Sequence, residues 1–143
     1  MAYQDDIKKA AALLLPWNML CGCNILVPGA SGLIGGCLVD VLMAHKGRNY
    51  NVYASGRNEE RAGRRFLKYA DDNSFHFVKY DVAHPLEYDV NFQYIIHAAS
   101  GAYPEEFIKH PVDVIKGNFN GVDNLLGYGI QHGIKRLLYI SSG

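Results

Sequence analysis

The feature that most constrains the fold of this chain is the glycine-rich stretch VPGASGLIGG at residues 27–36. It follows the apolar run NILV and leads into LVDVLMAH, whose apolar residues have helical spacing. A glycine inside regular structure costs about 1 kcal/mol relative to alanine. Four glycines at one junction therefore indicate a place where side chains would obstruct something, between a strand and a helix.

The rest of the chain alternates between strand and helix patterns. Short apolar or alternating runs predict strands, and longer segments with helical spacing predict helices. The predicted strands are residues 24–28, 50–55, 74–80, 94–98 and 136–141, and the predicted helices are residues 33–45, 58–69 and 111–128. This order predicts an α/β fold of the Rossmann type, a doubly wound parallel sheet with strand order 3-2-1-4-5 and helices on both faces.

The first 23 residues stand outside this alternation and predict a helical extension ahead of a dinucleotide-binding domain at residues 24–143. Residues 6–15 have an amphipathic pattern. We expect Ile7, Leu14 and Leu15 to pack on the domain, with Trp17 as an anchor.

Composition indicates an ordinary soluble globular protein. Fourteen Lys and Arg balance fourteen Asp and Glu, so bulk charge indicates neither a nucleic-acid nor a membrane partner. No apolar stretch approaches the roughly 20 residues of a membrane span. Cys21 and Cys23 are too close for the usual metal or redox spacing, and with Cys37 they predict buried, reduced thiols in a cytoplasmic protein without a metal site.

The glycine spacing has a specific chemical interpretation. A helix N-terminus presents unpaired N–H groups and a partial positive charge, and a pyrophosphate can lie against it only where no Cβ intervenes. Gly29, Gly32 and Gly35 leave that space. The alternative is a tight turn with close packing at Gly35 and Gly36, but the position in the first strand–helix unit favours dinucleotide binding.

Several motifs in the same order resemble one family. The spacing Gly29-x-x-Gly32-x-x-Gly35 is similar to the signature of the extended short-chain dehydrogenase/reductases, specifically the NAD-dependent epimerase/dehydratase family. The further matches are Asp81-Val82, His97-Ala98-Ala99, NFNGVDNLL at residues 118–126 and YISS at residues 139–142. The resemblance covers residues 24–143 and implies an enzyme that uses a nicotinamide cofactor on nucleotide sugars.

The resemblance also implies roles for individual residues. Asp81 would accept the adenine amino group beside the Val82 backbone, or else cap a turn. Small residues at Ala98 and Ala99 would let the strand end approach the ribose, and Asn118 would support the active-site strand. His97 is interpreted as a core histidine with satisfied hydrogen bonds rather than a catalyst. The cofactor-binding residues implied in this way are Gly29, Ser31, Gly32, Leu33, Ile34, Gly35, Asp81, Val82, Ala98, Ala99, Ser100 and Asn118.

The end of the second predicted strand bears on the choice of cofactor. Enzymes of this kind that use NAD usually carry an acidic residue there to accept the ribose hydroxyls. Gly56 takes that position here, and Arg57 and Asn58 follow as candidate cofactor contacts. A guanidinium suits a 2′-phosphate, so the sequence favours NADP over NAD. The alternative is that the arginines of residues 57–65 form only a solvated basic face.

Two departures from the family pattern matter for function. Pro28 stands where the family usually has threonine, so a hydroxyl and an N–H are lost. The family's Tyr-x-x-x-Lys pair is missing, because none of the ten tyrosines has a lysine four residues later. Ser142, with Ser141 as the near alternative, would orient the substrate hydroxyl. We therefore expect the N-terminal, cofactor-binding part of a longer epimerase, dehydratase or decarboxylase.

Two further expectations concern an alternative function and self-association. The alternative to an enzyme is a non-catalytic NADP-binding sensor or scaffold. Because the last predicted strand would leave an apolar sheet edge, we also expect a homo-oligomer that associates through residues 137–141.

Overall fold

The computed structural model describes residues 2–100 and 104–141. Its five strands are β1 (Asn24–Pro28), β2 (Asn51–Gly56), β3 (Phe75–Lys79), β4 (Tyr94–His97) and β5 (Arg136–Tyr139). Its α-helices are α1 (Ala2–Ala11), α2 (Leu33–Ala44), α3 (Glu59–Phe66), α4 (Pro104–Lys109) and α5 (Pro111–Gln131), with short 3-10 turns at Trp17–Leu20 and Leu67–Tyr69.

Within these residues the strands form one parallel sheet in the order β3-β2-β1-β4-β5, as the sequence predicts. Alternate residues of each strand point to opposite faces. On one face, Ile25 and Val27 of β1 pack against α2 and α3, and on the other face Leu26 packs in the cluster that contains Leu125 of α5. Both faces are therefore covered, which explains why the strands read as nearly continuous apolar runs.

The N-terminal segment differs from its prediction. The helix α1 ends at Ala11, and Leu14 and Leu15 are exposed rather than packed. The physical reason is Pro16, which disfavours helical geometry at the residue before it and stops the apolar run from continuing as a helix. Ile7 is buried as predicted, and the Trp17 ring stacks on His45 with 4.1 Å between centroids.

A buried carboxylate fastens this segment to the domain. Asp40 of α2 is fully buried and accepts a hydrogen bond of 2.6 Å from the Tyr3 hydroxyl of α1. Arg65, Lys68 and Tyr69 donate to the same carboxylate from α3 and the turn after it. Burial raises the pKa of Asp40, but the hydrogen bonds from these four side chains outweigh it and hold that pKa at about 2.

The cysteine prediction is correct only in part. The three thiols are free, and Cys23 is buried, but Cys37 is half-buried and Cys21 is exposed. Cys21 lies in the turn that precedes β1, where the chain still runs on the surface. None of the helices in the described part of the chain is long and apolar enough to cross a membrane.

Candidate functional site

A cavity of about 500 Å³ lies at the carboxyl ends of the strands. It spans the positions after β3, β2, β1 and β4, and so includes the point between β1 and β4 where the strand order reverses. Open parallel sheets bind ligands at this switch point, and the volume is within the range of ligand pockets. The wall consists of Gly29, Ser31, Gly32, Gly56, Arg57, Arg61, Tyr80, Asp81, Val82, Ala83, Ala98, Ala99, Ser100, His110, Asp113, Val114, Gly117 and Asn118.

Gly29 forms the turn that follows β1. Its φ of 80° lies in the left-handed region that favours glycine. The N–H groups of Gly29 and Ala30 both donate to the Ser55 carbonyl, at 3.0 Å each. A Cβ on Gly29 would stand 2.5 Å from the backbone nitrogen of Ala99. Only glycine therefore lets the ends of β1 and β4 approach this closely.

Gly32 and Gly35 serve different purposes in the next turn. Gly32 is the residue before α2, lines the cavity and has an ordinary φ of −78°. Gly35 is buried, and a Cβ there would come within 2.4 Å of the Gly29 carbonyl oxygen. Gly35 thus lets the first turn of α2 pack directly against the turn after β1. Gly32 leaves the space in front of the N-terminus of α2 free of a side chain. The close packing considered from the sequence is therefore present at Gly35, and the space at Gly32 is compatible with the predicted anion cradle.

The end of β2 brings two guanidinium groups to the cavity. Arg57 and Arg61 both belong to its wall and are exposed to solvent. Asn58 caps α3, because its side-chain oxygen accepts a 2.8 Å hydrogen bond from the Arg61 N–H. Among the described atoms, a Cβ added to Gly56 would come within 4 Å of the Ser31 hydroxyl alone, at 3.5 Å. The site is therefore basic at this position and has room for a larger residue at Gly56.

Asp81 and Val82 form the wall after β3. The Asp81 carboxylate accepts a 3.0 Å hydrogen bond from the Ala83 N–H, so the turn cap considered from the sequence is present. A carboxylate can accept further hydrogen bonds while it makes that one. Asn124 of α5 donates to the Val82 carbonyl at 3.0 Å, which attaches this loop to the helix. Sequence reasoning assigned no such role to Asn124.

The wall after β4 consists of Ala98, Ala99 and Ser100. The Ala98 N–H donates to the Pro28 carbonyl at 2.9 Å, and the Ala99 N–H donates to Nδ1 of His97 at 3.3 Å. His97 is fully buried, and its Nε2 makes no hydrogen bond to any described atom. It is thus a core histidine, but only one of its two ring nitrogens has a partner.

The structure brings most of the predicted site residues to this one cavity. Those in its wall are Gly29, Ser31, Gly32, Arg57, Asp81, Val82, Ala98, Ala99, Ser100 and Asn118. Within the described residues, Leu33, Ile34, Gly35 and Asn58 lie outside the wall, with Leu33 and Ile34 exposed on the first turn of α2. Ser142 lies outside the residues that the structure describes.

Sequence reasoning did not assign several residues of the wall to the site. Tyr80 directly precedes Asp81, and Arg61 lies in the first turn of α3, four residues after Arg57, so spacing could have indicated both. His110 and Asp113 come from the start of α5, which only the fold places over the cavity. Among residues 2–100 and 104–141, no group of three or more His, Cys, Asp or Glu side chains could hold a metal ion.

Comparison with known proteins finds a matching family. A family model described as the NAD dependent epimerase/dehydratase family matches residues 25–143. UDP-glucuronic acid decarboxylase 4 of Arabidopsis thaliana is 32% identical over 122 residues, which cover 83% of this chain and 26% of that protein. UDP-glucuronic acid decarboxylase 1 of Danio rerio is 30% identical, with 83% of this chain and 27% of that protein covered. The chain thus spans about a quarter of the length of these curated relatives.

Solved structures share the fold. Pen from Bacillus thuringiensis superposes with a TM-score of 0.70 at 20% identity, over 84% of this chain and 38% of that one. The UDP-glucose 4-epimerase of Thermotoga maritima, solved with UDP-glucose, gives 0.64 at 24% identity over 84% and 38%. Yeast methylglyoxal/isovaleraldehyde reductase Gre2, complexed with NADPH, gives 0.63 at 20% identity over 83% and 37%.

Proposed function

Because the chain belongs to the NAD-dependent epimerase/dehydratase family, we propose that its cavity binds a nicotinamide dinucleotide. In this proposal, residues 24–143 supply the cofactor-binding part of an enzyme that modifies nucleotide sugars. The observation that carries the proposal is the open space at Gly32, in front of the N-terminus of α2. Unpaired N–H groups and the helix dipole favour an anion there, and a side chain would fill the space.

The residues of the cavity fit the parts of such a cofactor. The pyrophosphate would lie on Gly29, Ser31 and Gly32. Asp81 would accept a hydrogen bond from the adenine amino group in addition to the one from Ala83. The small side chains of Ala98 and Ala99 would leave space for a ribose of the cofactor. When bound, the nicotinamide would supply hydride transfer to or from a substrate carbon, whereas the residues described above would bind and orient the cofactor.

The basic end of β2 supports NADP as the preferred cofactor. No carboxylate is present at Gly56, and the cavity wall there carries Arg57 and Arg61. Two guanidinium groups can make charge-assisted hydrogen bonds to a 2′-phosphate, whereas NAD would present only hydroxyls to them.

The substrate and the reaction rest on similarity to relatives. The curated relatives are named as UDP-glucuronic acid decarboxylases, and one structural neighbour was solved with UDP-glucose. We therefore propose a nucleotide sugar as the substrate of the whole protein, in an epimerase, dehydratase or decarboxylase reaction. Ser142, or Ser141 next to it, would orient the substrate hydroxyl.

The second candidate function is an NADP-binding sensor or scaffold without catalysis. The 143 residues contain no Tyr-x-x-x-Lys pair, but they span only about a quarter of the curated relatives, so this absence favours neither candidate. The sequence of the parent gene downstream of these residues would distinguish the enzyme from the sensor or scaffold. A Tyr-x-x-x-Lys pair within about one further strand–helix unit would favour the enzyme, and its absence would favour the sensor.

Substitution of Gly32 tests dinucleotide binding directly. We predict that Gly32→Val abolishes binding while the fold is retained, because φ at this residue is ordinary and, among the described atoms, a Cβ would approach the Gly29 carbonyl oxygen at 3.2 Å, which a shift of a few tenths of an ångström relieves. The measurement is calorimetric titration with NADP and NAD. Gly127→Val is the matched control, since Gly127 lies on α5 outside the cavity wall and a Cβ there would have no described atom within 4 Å. Equal affinities of Gly32→Val and the unaltered chain would reject the anion cradle.

A further inference from the structure

His97 is unusual among the buried side chains of this domain. It is the last residue of β4, it is fully buried, and its ring lies against Tyr139 of β5 with 5.0 Å between centroids. Its backbone is fixed as well, because its carbonyl accepts from the Ile140 N–H at 3.0 Å. The ring therefore has a defined position next to Ala98 and Ala99, which belong to the cavity wall.

The hydrogen bond at Nδ1 determines the form of the ring. Nδ1 accepts from the Ala99 N–H at 3.3 Å, so it cannot carry a proton itself. The neutral ring then carries its proton on Nε2. Burial lowers the pKa of His97, which also favours the neutral form. A protonated ring would place two N–H donors against each other at Ala99.

The proton on Nε2 has no acceptor among the described atoms. Nε2 faces α5 at Gly121, where a Cβ would stand 3.0 Å away. A buried donor without a partner is unfavourable, and an apolar side chain could fill the same space without it. Packing alone therefore does not explain a histidine at this position, and the Nδ1 bond to Ala99 does.

The Ala98–Ala99 peptide connects His97 to the cofactor cavity. Both alanines belong to the cavity wall. The same peptide lies across Gly29, since a Cβ on Gly29 would come within 2.5–2.6 Å of the Ala99 nitrogen and the Ala98 carbonyl group. A rotation of this peptide would therefore displace both the end of β4 and the turn that precedes α2.

We propose that His97 is a positioning residue for the dinucleotide: its Nδ1 fixes the Ala98–Ala99 peptide in the orientation that leaves the cavity open between Gly29 and the end of β4. This inference rests on the proposed function, since the ligand is the dinucleotide. His97 acts through Ala99 and makes no contact with the cofactor itself.

Two amide substitutions separate this role from packing. Asparagine can place its amide oxygen near the position of imidazole Nδ1, whereas glutamine places its oxygen nearer to Nε2. We expect His97→Asn to bind NADPH within about twofold of the unaltered chain, and His97→Gln and His97→Leu to bind about three- to tenfold more weakly, the effect of one lost hydrogen bond. Equal NADPH affinities of the Asn, Gln and Leu variants would overturn the proposal. So would a His97→Asn variant that binds NADPH as weakly as His97→Leu.

Nuclear magnetic resonance of the unaltered chain provides a measurement that does not depend on the stability of variants. The ¹⁵N shifts of the His97 ring should show an unprotonated Nδ1 and a protonated Nε2 at pH 7, and a protonated Nδ1 would overturn the proposal.

The cofactor titrations also separate failure of the proposed function from failure of the role proposed for His97. If the unaltered chain binds neither NADPH nor NADH, the proposed function fails. If it binds NADPH and His97→Leu binds equally well, only the role of His97 fails.

Discussion

At the scale of single residues, Arg57 is the side chain on which the cofactor preference depends most directly. We predict that Arg57→Ala weakens NADP binding by about 1–3 kcal/mol, the scale of a lost charged hydrogen bond, and leaves NAD binding nearly unchanged. The measurement is a pair of calorimetric titrations. Arg64→Ala is the matched control, because Arg64 lies on the same helix, pairs with Glu60 at 3.4 Å and lies outside the cavity wall.

Two results would contradict this assignment. If Arg57→Ala weakens NAD and NADP equally, Arg57 does not contact the 2′-phosphate. If the unaltered chain binds NAD more tightly than NADP, the preference for NADP is wrong. In that case the space beside Gly56, where a Cβ would contact the Ser31 hydroxyl at 3.5 Å, does not determine the cofactor preference.

Asp40 gives the domain a specific dependence on acid. Its folded-state pKa of about 2 lies below the ordinary 3.8, so the ionised form stabilises the fold above pH 4. That contribution is lost as the pH falls from about 4 to 2, and the shift corresponds to about 2 kcal/mol. We predict that the free energy of unfolding in urea falls by this amount over that interval, beyond the change common to other carboxylates.

Asparagine at position 40 isolates this contribution. Asp40→Asn should be less stable at pH 5 and should lose the additional acid dependence, because the neutral amide does not titrate. Asp6→Asn is the control, since the Asp6 side chain is largely exposed and pairs with the exposed Lys9, at 3.8 Å. An unchanged acid dependence in Asp40→Asn would contradict the role of the buried carboxylate.

At the scale of elements, the sequence predicted the five strands and the strand order, because apolar runs and the glycine turn reflect local geometry and burial together. The predictions that were wrong depended on side chains at helix ends. The helix predicted at residues 58–69 ends at Phe66, and Leu67 falls in a 3-10 turn where it is 73% exposed. The helix α4 was not predicted, since six residues are too few to show a helical period.

The edge strand β5 is the element for which we predict self-association. Within the described residues it pairs only with β4, and Leu138 is 53% exposed. An apolar edge strand can pair with another chain. We predict that the chain forms a homo-oligomer in light scattering and that Leu138→Lys shifts it toward the monomer.

Helix α5 is the surface to compare with β5. Its exposed apolar residues repeat at helical spacing and include Val112, Ile115, Phe119, Leu126 and Ile130. Ile115→Lys is therefore the matched variant. If it dissociates the oligomer and Leu138→Lys does not, the interface lies on α5. A monodisperse monomer of the unaltered chain would contradict the prediction altogether.

At the scale of the whole molecule, the candidate site shows what a sequence alone can and cannot predict. The turn after β1 and the ends of β3 and β4 carry local motifs, and the structure brings them to one cavity. The wall residues His110 and Asp113 carry no such motif, because the path of the chain between β4 and α5 decides where they lie. The bond between His97 and Ala99 was likewise not predictable, because it depends on the rotation of one buried ring.

The last prediction is that these 143 residues turn over no nucleotide sugar. General base catalysis typically contributes a factor of about 10²–10⁴, and the sequence contains no Tyr-x-x-x-Lys pair to supply the base. Tyr80 does line the cavity, but burial, with the charge of Asp81, raises its pKa to about 12, and its hydroxyl donates to the His84 carbonyl at 2.9 Å. It therefore cannot act as a phenolate base near pH 7.

Incubation with NADP or NADPH and a mixture of UDP-sugars tests this prediction, with absorbance at 340 nm and chromatography of the sugars as readouts. Both are needed, because an epimerase or decarboxylase can return its cofactor to the starting state without a net absorbance change. The expected result is no product above a control without protein. Product that disappears in Tyr80→Phe, which retains the ring and removes only the hydroxyl, would place the base at Tyr80 and contradict the assignment of this tyrosine to structure alone.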